Sequence, residues 1–225
     1  PDDPMIELAS AARILHVAAG TASLLAGGVA LATRKGGRPH RLAGKIFLVS
    51  MITIAATAIV LAIVRPNPFL FFLAVFSCYL AVWGRVALAR KKLAAHTPAP
   101  RSHYIPTAAF GLFCGYFGVA ALRSGALVFQ IFAALALLLV VGHLRQLRRG
   151  GEYRVHWMLD HQAGFVTAYI ASITAFMVVN TPRFLPEAQW ATLLVWLGPT
   201  LLGVPLLRRS ALKLTAAERE RKARG

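Results

Sequence analysis

Seven apolar runs, each long enough to cross a bilayer, constrain this chain more than any other feature. They cover residues 6–33, 42–64, 68–88, 104–122, 125–144, 157–180 and 188–207. A transmembrane helix needs about 20 mostly apolar residues. Helix is also the only open-chain form that satisfies its own backbone in lipid. The connections are short, and none has room for a soluble domain. The sequence therefore predicts an all-α integral membrane bundle of seven transmembrane helices over residues 1–207, followed by a basic tail at 208–225.

Composition agrees. Apolar residues make up 57% of the chain and charged residues 15%, against about 45–50% and 25% in soluble domains. The net charge of +17 would point to nucleic acid only if the cations lay on one soluble surface. Here they fall in short pieces between apolar runs, which excludes nucleic acid as a partner and leaves the lipid bilayer. The loops after runs one, three and five, together with the tail, hold 21 of the 25 Lys and Arg residues. That asymmetry places the N-terminus outside and the C-terminus in the cytoplasm. Cys78 and Cys114 lie inside apolar runs and read as buried small side chains. Residues 1–4 carry no signal-peptide pattern and precede Met5, so no function is assigned to them.

Helix packing has its own signature. His16, Gly20, Ser23 and Gly27 share a face of the first run, and Gly111 and Gly115 lie one turn apart in the fourth. Small residues at this spacing let backbones approach. Pro199 and Pro205 should kink or loosen the seventh run.

The sixth run, 157–180, opens with Asp160 and His161 side by side and carries Gln162, Thr167, Tyr169 and Thr174 in an apolar context. Ionisable groups at membrane depth are costly and mark working sites by default. With the N-terminus outside, His40, His103, His143, His156 and His161 all fall toward the cytoplasmic face. His16 lies about 27 Å of helix from that face and forms a second, separate polar point.

Three chemistries suit such a cluster. Two imidazoles from facing helices can ligate b-type haem. Glycines one turn from the histidines (His40 and Gly44, His161 and Gly164, His16 and Gly20) would leave room for the macrocycle, and Arg41, Lys45, Arg101 and Arg154 could hold its propionates. Three histidines with a bound water could instead make a zinc hydrolase, with Asp160 as ligand or base. Without a metal, Asp160 and His161 could line a proton or substrate path. No Gly-rich nucleotide loop, catalytic-serine elbow or Cys-x-x-Cys occurs, and the seventh run lacks a lysine for a Schiff base.

His16-x-x-x-Gly20 with Gly27, the loop from Lys35 to Lys45 with its Gly36-Gly37-x-x-His40-Arg41, and Trp157-x-x-x-His161 ending at Asn180 together resemble an uncharacterised family of bacterial multi-spanning membrane proteins. The resemblance implies a bundle in the bacterial inner membrane and supplies no activity. More faintly, His-x-x-x-Gly helices resemble the di-haem transmembrane cytochromes b. The outer half offers only His16, which leaves one inner site. The seven-helix zinc hydrolases acting on lipid amides share the span count but carry a paired-histidine helix that this chain lacks.

The leading expectation is an inner-membrane redox protein. It would hold haem b or another metal among His40, His143 and His161, with Arg41 and His16 as further cofactor contacts and Asp160 as the catalytic group. It would exchange electrons with a lipophilic partner such as quinone. The alternatives are an intramembrane zinc hydrolase, and a transporter or structural membrane partner.

Overall fold

A computed structural model describes residues 4–94, 96–150, 155–181 and 189–224, apart from the side chains of 189–192 and 222. Among these residues the chain forms α1 (Pro4–Ala32), α2 (Arg38–Val64), α3 (Pro68–Ala87), α4 (Tyr104–Ser124), α5 (Leu127–Arg149), α6 (His156–Asn180) and α7 (Gln189–Arg224), and no strand. Two 3-10 turns, Leu88–Lys92 and Arg101–His103, lie between α3 and α4. Six of the helices are long and apolar enough to span a membrane: α1, α2, α3 with its turn to Lys92, α4 with its turn from Arg101, α5 and α6. Large apolar side chains such as Ile14, Leu112, Leu122 and Leu202 are mostly exposed, a surface that suits lipid rather than water.

The helices begin and end within a few residues of the apolar runs, with one exception. The seventh run leaves its apolar phase near 207, and the helix-favouring tail beyond it extends α7 as one helix through Pro199 and Pro205 to Arg224. Its last third is built from Ala, Leu, Lys, Arg and Glu, all strong helix formers, so the helix does not stop where the apolar pattern does.

The chain divides into two compact units. The first comprises Pro1–Ala81 and Val166–Leu206. Its frame is the antiparallel hairpin of α1 and α2. Lys35 Nζ donates to the Ala30 and Leu31 carbonyls at 2.9 and 2.6 Å, satisfying acceptors left over at the end of α1. His40 Nδ1 donates to the Ala30 carbonyl at 3.0 Å and ties the start of α2 to the same place.

Helix α6 joins this hairpin through Tyr169, whose hydroxyl donates to the Leu24 carbonyl at 3.1 Å. The Tyr169 ring occupies the space beside Gly27, where a Cβ would stand 2.2 Å from Cδ2. Gly27 thus serves the close approach expected of the small-residue face, whereas a Cβ at Gly20 would meet nothing within 4 Å. Gly27→Ala should therefore cost about 1–3 kcal/mol by overpacking. Thermal unfolding in detergent would show it, and Tyr169→Ala in the same background should recover part of the loss. An unchanged melting temperature for Gly27→Ala would rule the close contact out.

The second unit comprises Val82–Phe165 and Leu207–Gly225. Here α4 packs on α5, with the Gly111 surface against Val140. Trp83, Ala99 and Leu147 form a buried core with Tyr104 against it. The segment before α4 is tied to the end of α5 by a bond from the Ala99 N–H to the Leu147 carbonyl at 2.9 Å. Gly150, just past α5, has φ 68° and ψ 175°. A Cβ there would stand 2.6 Å from the Thr97 backbone. On α7, buried Glu218 accepts two bonds from Arg221, at 3.1 and 3.0 Å.

Candidate functional site

The second unit holds a buried ion pair. After Ala87 the backbone tightens into the 3-10 turn Leu88–Lys92, and the change of pitch sends Arg90 inward while Lys91 and Lys92 stay exposed. Arg90 is 1% exposed and Asp160, in the second turn of α6, is 6% exposed. Arg90 Nη2 lies 2.8 Å from Asp160 Oδ2. Gln146 of α5 donates from Nε2 to Asp160 Oδ1. Desolvating two charges costs several kcal/mol per ion, and only close pairing with further polar contacts offsets it. Gln146 supplies one such contact for the carboxylate.

Aromatic rings complete the surroundings. The Arg90 guanidinium carbon lies 4.8 Å from the Trp83 ring centre, a cation–π contact. The same indole stacks on His143, with centroids 3.6 Å apart and planes within 5°. His103 and His143 both lie within electrostatic reach of Arg90. Buried His156 is similarly placed toward Asp160. Nε of Arg90 and Nδ1 of His103 are buried with no hydrogen-bond partner. The Nη2–Oδ2 contact is close, but neither atom makes an aligned hydrogen bond.

Asp160 and His161 were expected to work side by side. Consecutive helical residues point about 100° apart, and the two part company. His161 Nδ1 donates to the Gly84 carbonyl at 2.9 Å, and its ring leans on Phe165 at 4.9 Å. Gly84 permits this crossing of α3 and α6: a Cβ there would stand 2.5 Å from Phe165 and 3.1 Å from the His161 carbonyl oxygen.

The remaining expected residues lie as follows. His143 belongs to the aromatic stack. His40 and Arg41 start α2 in the first unit, where His40 holds Ala30 and Arg41 is exposed. His16 also belongs to the first unit, with Nδ1 2.9 Å from Thr57 Oγ1. The Thr57 hydroxyl donates to the Thr53 and Ile54 carbonyls, so its oxygen accepts from His16 and the chain of donors closes. Arg154 lies outside the described residues. Among the described residues, no three His, Cys, Asp or Glu side chains gather closely enough to hold a metal ion.

Arg90, Gln146 and Trp83 were not singled out from the sequence. Arg90 read as one more cation of an inner loop. The usable signal was Asp160 itself, since a carboxylate at membrane depth needs a cation, but several inner-loop basic residues were equally eligible.

A chain whose described residues are helical, with six membrane-length apolar helices among them and a buried charge pair, belongs to the class of multi-pass membrane proteins. Residues 13–120 match the family described as "Predicted membrane protein (DUF2306)", a domain of unknown function. This is the kind of uncharacterised membrane-protein family that the sequence motifs resemble. No curated protein and no solved structure gives a match.

Proposed function

We propose that the chain is a transporter-like protein of the cytoplasmic membrane in which the Arg90–Asp160 pair acts as a charge latch on a polar path. The observation that carries this reading is the burial of both charges at 1% and 6% exposure in helices of membrane length. Charges so placed mark ion and proton pathways. The distribution of basic residues supports an N-terminus outside, which puts the pair in the cytoplasmic half of the bilayer.

The mechanism follows from electrostatics. In a low-dielectric setting a lone guanidinium is strongly disfavoured. Protonating Asp160, or replacing it with another anion, removes the counter-charge and shifts the balance between a latched and an open arrangement. Gln146 keeps the carboxylate turned toward Arg90 while the latch is closed. Asp160 thus has a switching role rather than the bond-making one expected of a catalytic group.

Proteoliposomes with a pH-sensitive dye inside test the reading. Under an imposed pH gradient the wild-type protein should carry protons measurably faster than empty vesicles, and Asp160→Asn should abolish the difference. Wild-type flux no greater than that of empty vesicles, with and without candidate solutes, would sink the idea.

A redox reading rests on a different observation. His40 and His161 each donate Nδ1–H to a main-chain carbonyl. A carbonyl can only accept, so Nε2 is the lone-pair nitrogen in both neutral rings. Ligating histidines are held in this way. On this reading each ring, within its own unit, would offer Nε2 to haem b or another metal, with quinone as the lipophilic electron partner. Purified protein from haem-supplemented cells should then show a Soret band that is lost in His161→Ala. A flat spectrum removes the haem reading and leaves the latch untouched.

A further inference from the structure

The surroundings of Arg90 hold more buried donors than one carboxylate fills. The guanidinium is nearly fully buried, and His103 and His143 lie within its electrostatic reach. Lys91, Lys92 and Arg101 are exposed close by in sequence. Asp160 is the only carboxylate paired with any of these groups among the described residues of this unit.

The donor geometry is more specific. A guanidinium presents two parallel N–H groups along its Nε–Nη2 edge, the fork that grips carboxylates and phosphates in bidentate fashion. Along that edge both Nε and Nη2 are buried and without an aligned acceptor. Asp160 Oδ2, 2.8 Å from Nη2, neutralises charge without filling the fork. His103 Nδ1 is a third buried nitrogen with no hydrogen-bond partner. Buried polar groups are satisfied in the great majority of cases, and the exceptions call for an explanation.

We infer that the Nε–Nη2 edge of Arg90 and Nδ1 of His103 form a binding site for an oxyanion, a phosphate group being the natural occupant. Its three or more acceptor oxygens could take up three buried donors that lack partners, with His103 in the tautomer or charge state that places a proton on Nδ1. The inference deepens the latch reading by naming the anion that would compete with Asp160 for Arg90. It needs binding alone and no flux. The phosphate has two possible sources, a free ion from the cytoplasm or the headgroup of a lipid.

The test uses the full-length protein in a phosphorus-free maltoside detergent. Inorganic phosphate is titrated against thermal stability, and native mass spectrometry counts retained phospholipid. Saturable stabilisation by phosphate but not by chloride, weakened about tenfold in His103→Ala by loss of one charge-assisted bond, supports a soluble anion. One retained phospholipid per chain, released in His103→Ala and displaced by phosphate, supports the headgroup instead. Lys213→Ala, at an exposed position of α7, should leave either result unchanged. His103 is only partly buried, so its variant should fold even where Arg90→Gln does not. The absence of both saturable phosphate binding and a retained phospholipid in the wild type overturns the site. Proton flux that depends on Asp160 would still uphold the latch in that case.

Discussion

Asp160→Ala should lower the stability of the protein by about 3–5 kcal/mol, because it leaves Arg90 buried and uncompensated. Arg90→Ala should cost a similar amount by stranding the carboxylate. The pairing is tested by the double variant. Arg90→Met with Asp160→Leu replaces two mutually dependent charges by apolar volume, and most of the loss should return. Reversible unfolding in mixed micelles measures all three. If the two single losses simply add in the double variant, the charges are not coupled, and the latch has no physical basis. The double variant should also be inactive in the flux assay despite its restored stability, since no titrating group remains. That split between stability and activity separates a working pair from a structural one.

Gly150→Ala should be the most damaging single-methyl addition in the second unit, at about 2–5 kcal/mol. Two costs combine. Gly150 has φ 68° and ψ 175°, a region essentially reserved for glycine and worth about 1–3 kcal/mol to any other residue. The added carbon would also stand 2.6 Å from the Thr97 N and O atoms, and backbone cannot rotate aside as a side chain can. Gly125→Ala is the control: its φ is 64° with ψ 0°, and its Cβ would meet nothing within 4 Å. It should cost only about 1–2 kcal/mol. Equal thermal shifts for the two variants would mean that the contact between Gly150 and Thr97 is absent.

The damage at Gly150 should reach the site. Leu147, three residues earlier, accepts the Ala99 N–H, and Gln146 before it holds Asp160. Displacing the end of α5 would loosen the segment carrying Thr97 and Ala99 and turn Gln146 away from the carboxylate.

Helix positions were legible because lipid permits so few backbone forms. An apolar run of about 20 residues has to be a helix, and α2, α3 and α6 end or begin at the residues that the hydropathy pattern marks. At α7 two signals separate. Hydropathy reports where a helix leaves the apolar phase, whereas helix propensity decides where it stops, and residues 208–224 favour helix in either solvent.

The site was legible in one half only. Asp160 stands out as an acidic group beyond the first turns of an apolar run, and it does lie in the buried pair. Its partner could not be read, because Arg90, Lys91 and Lys92 look alike in sequence. The 3-10 turn that selects Arg90 depends on packing against Trp83 and α6. The histidines could be placed by depth but not by partner. His143 stacks on an indole, His161 holds the Gly84 carbonyl and His40 holds the Ala30 carbonyl of the α1–α2 hairpin. Each has its own short-range partner, which depth along a helix does not encode.

The ion pair also sets an order of events during synthesis. Residue 160 follows residue 90 by 70 positions, which is roughly 4–14 s at a typical translation rate of about 5–20 residues per second. Throughout that interval the Arg90 side chain has no Asp160 to meet. Its place in the 3-10 turn just past the end of α3, rather than at mid-span, lets the guanidinium reach headgroup water by extending along its own stem. It can then be drawn inward when α6 arrives. The nascent chain thus waits with its cation at the surface, and burial of Arg90 records that the later helices have docked.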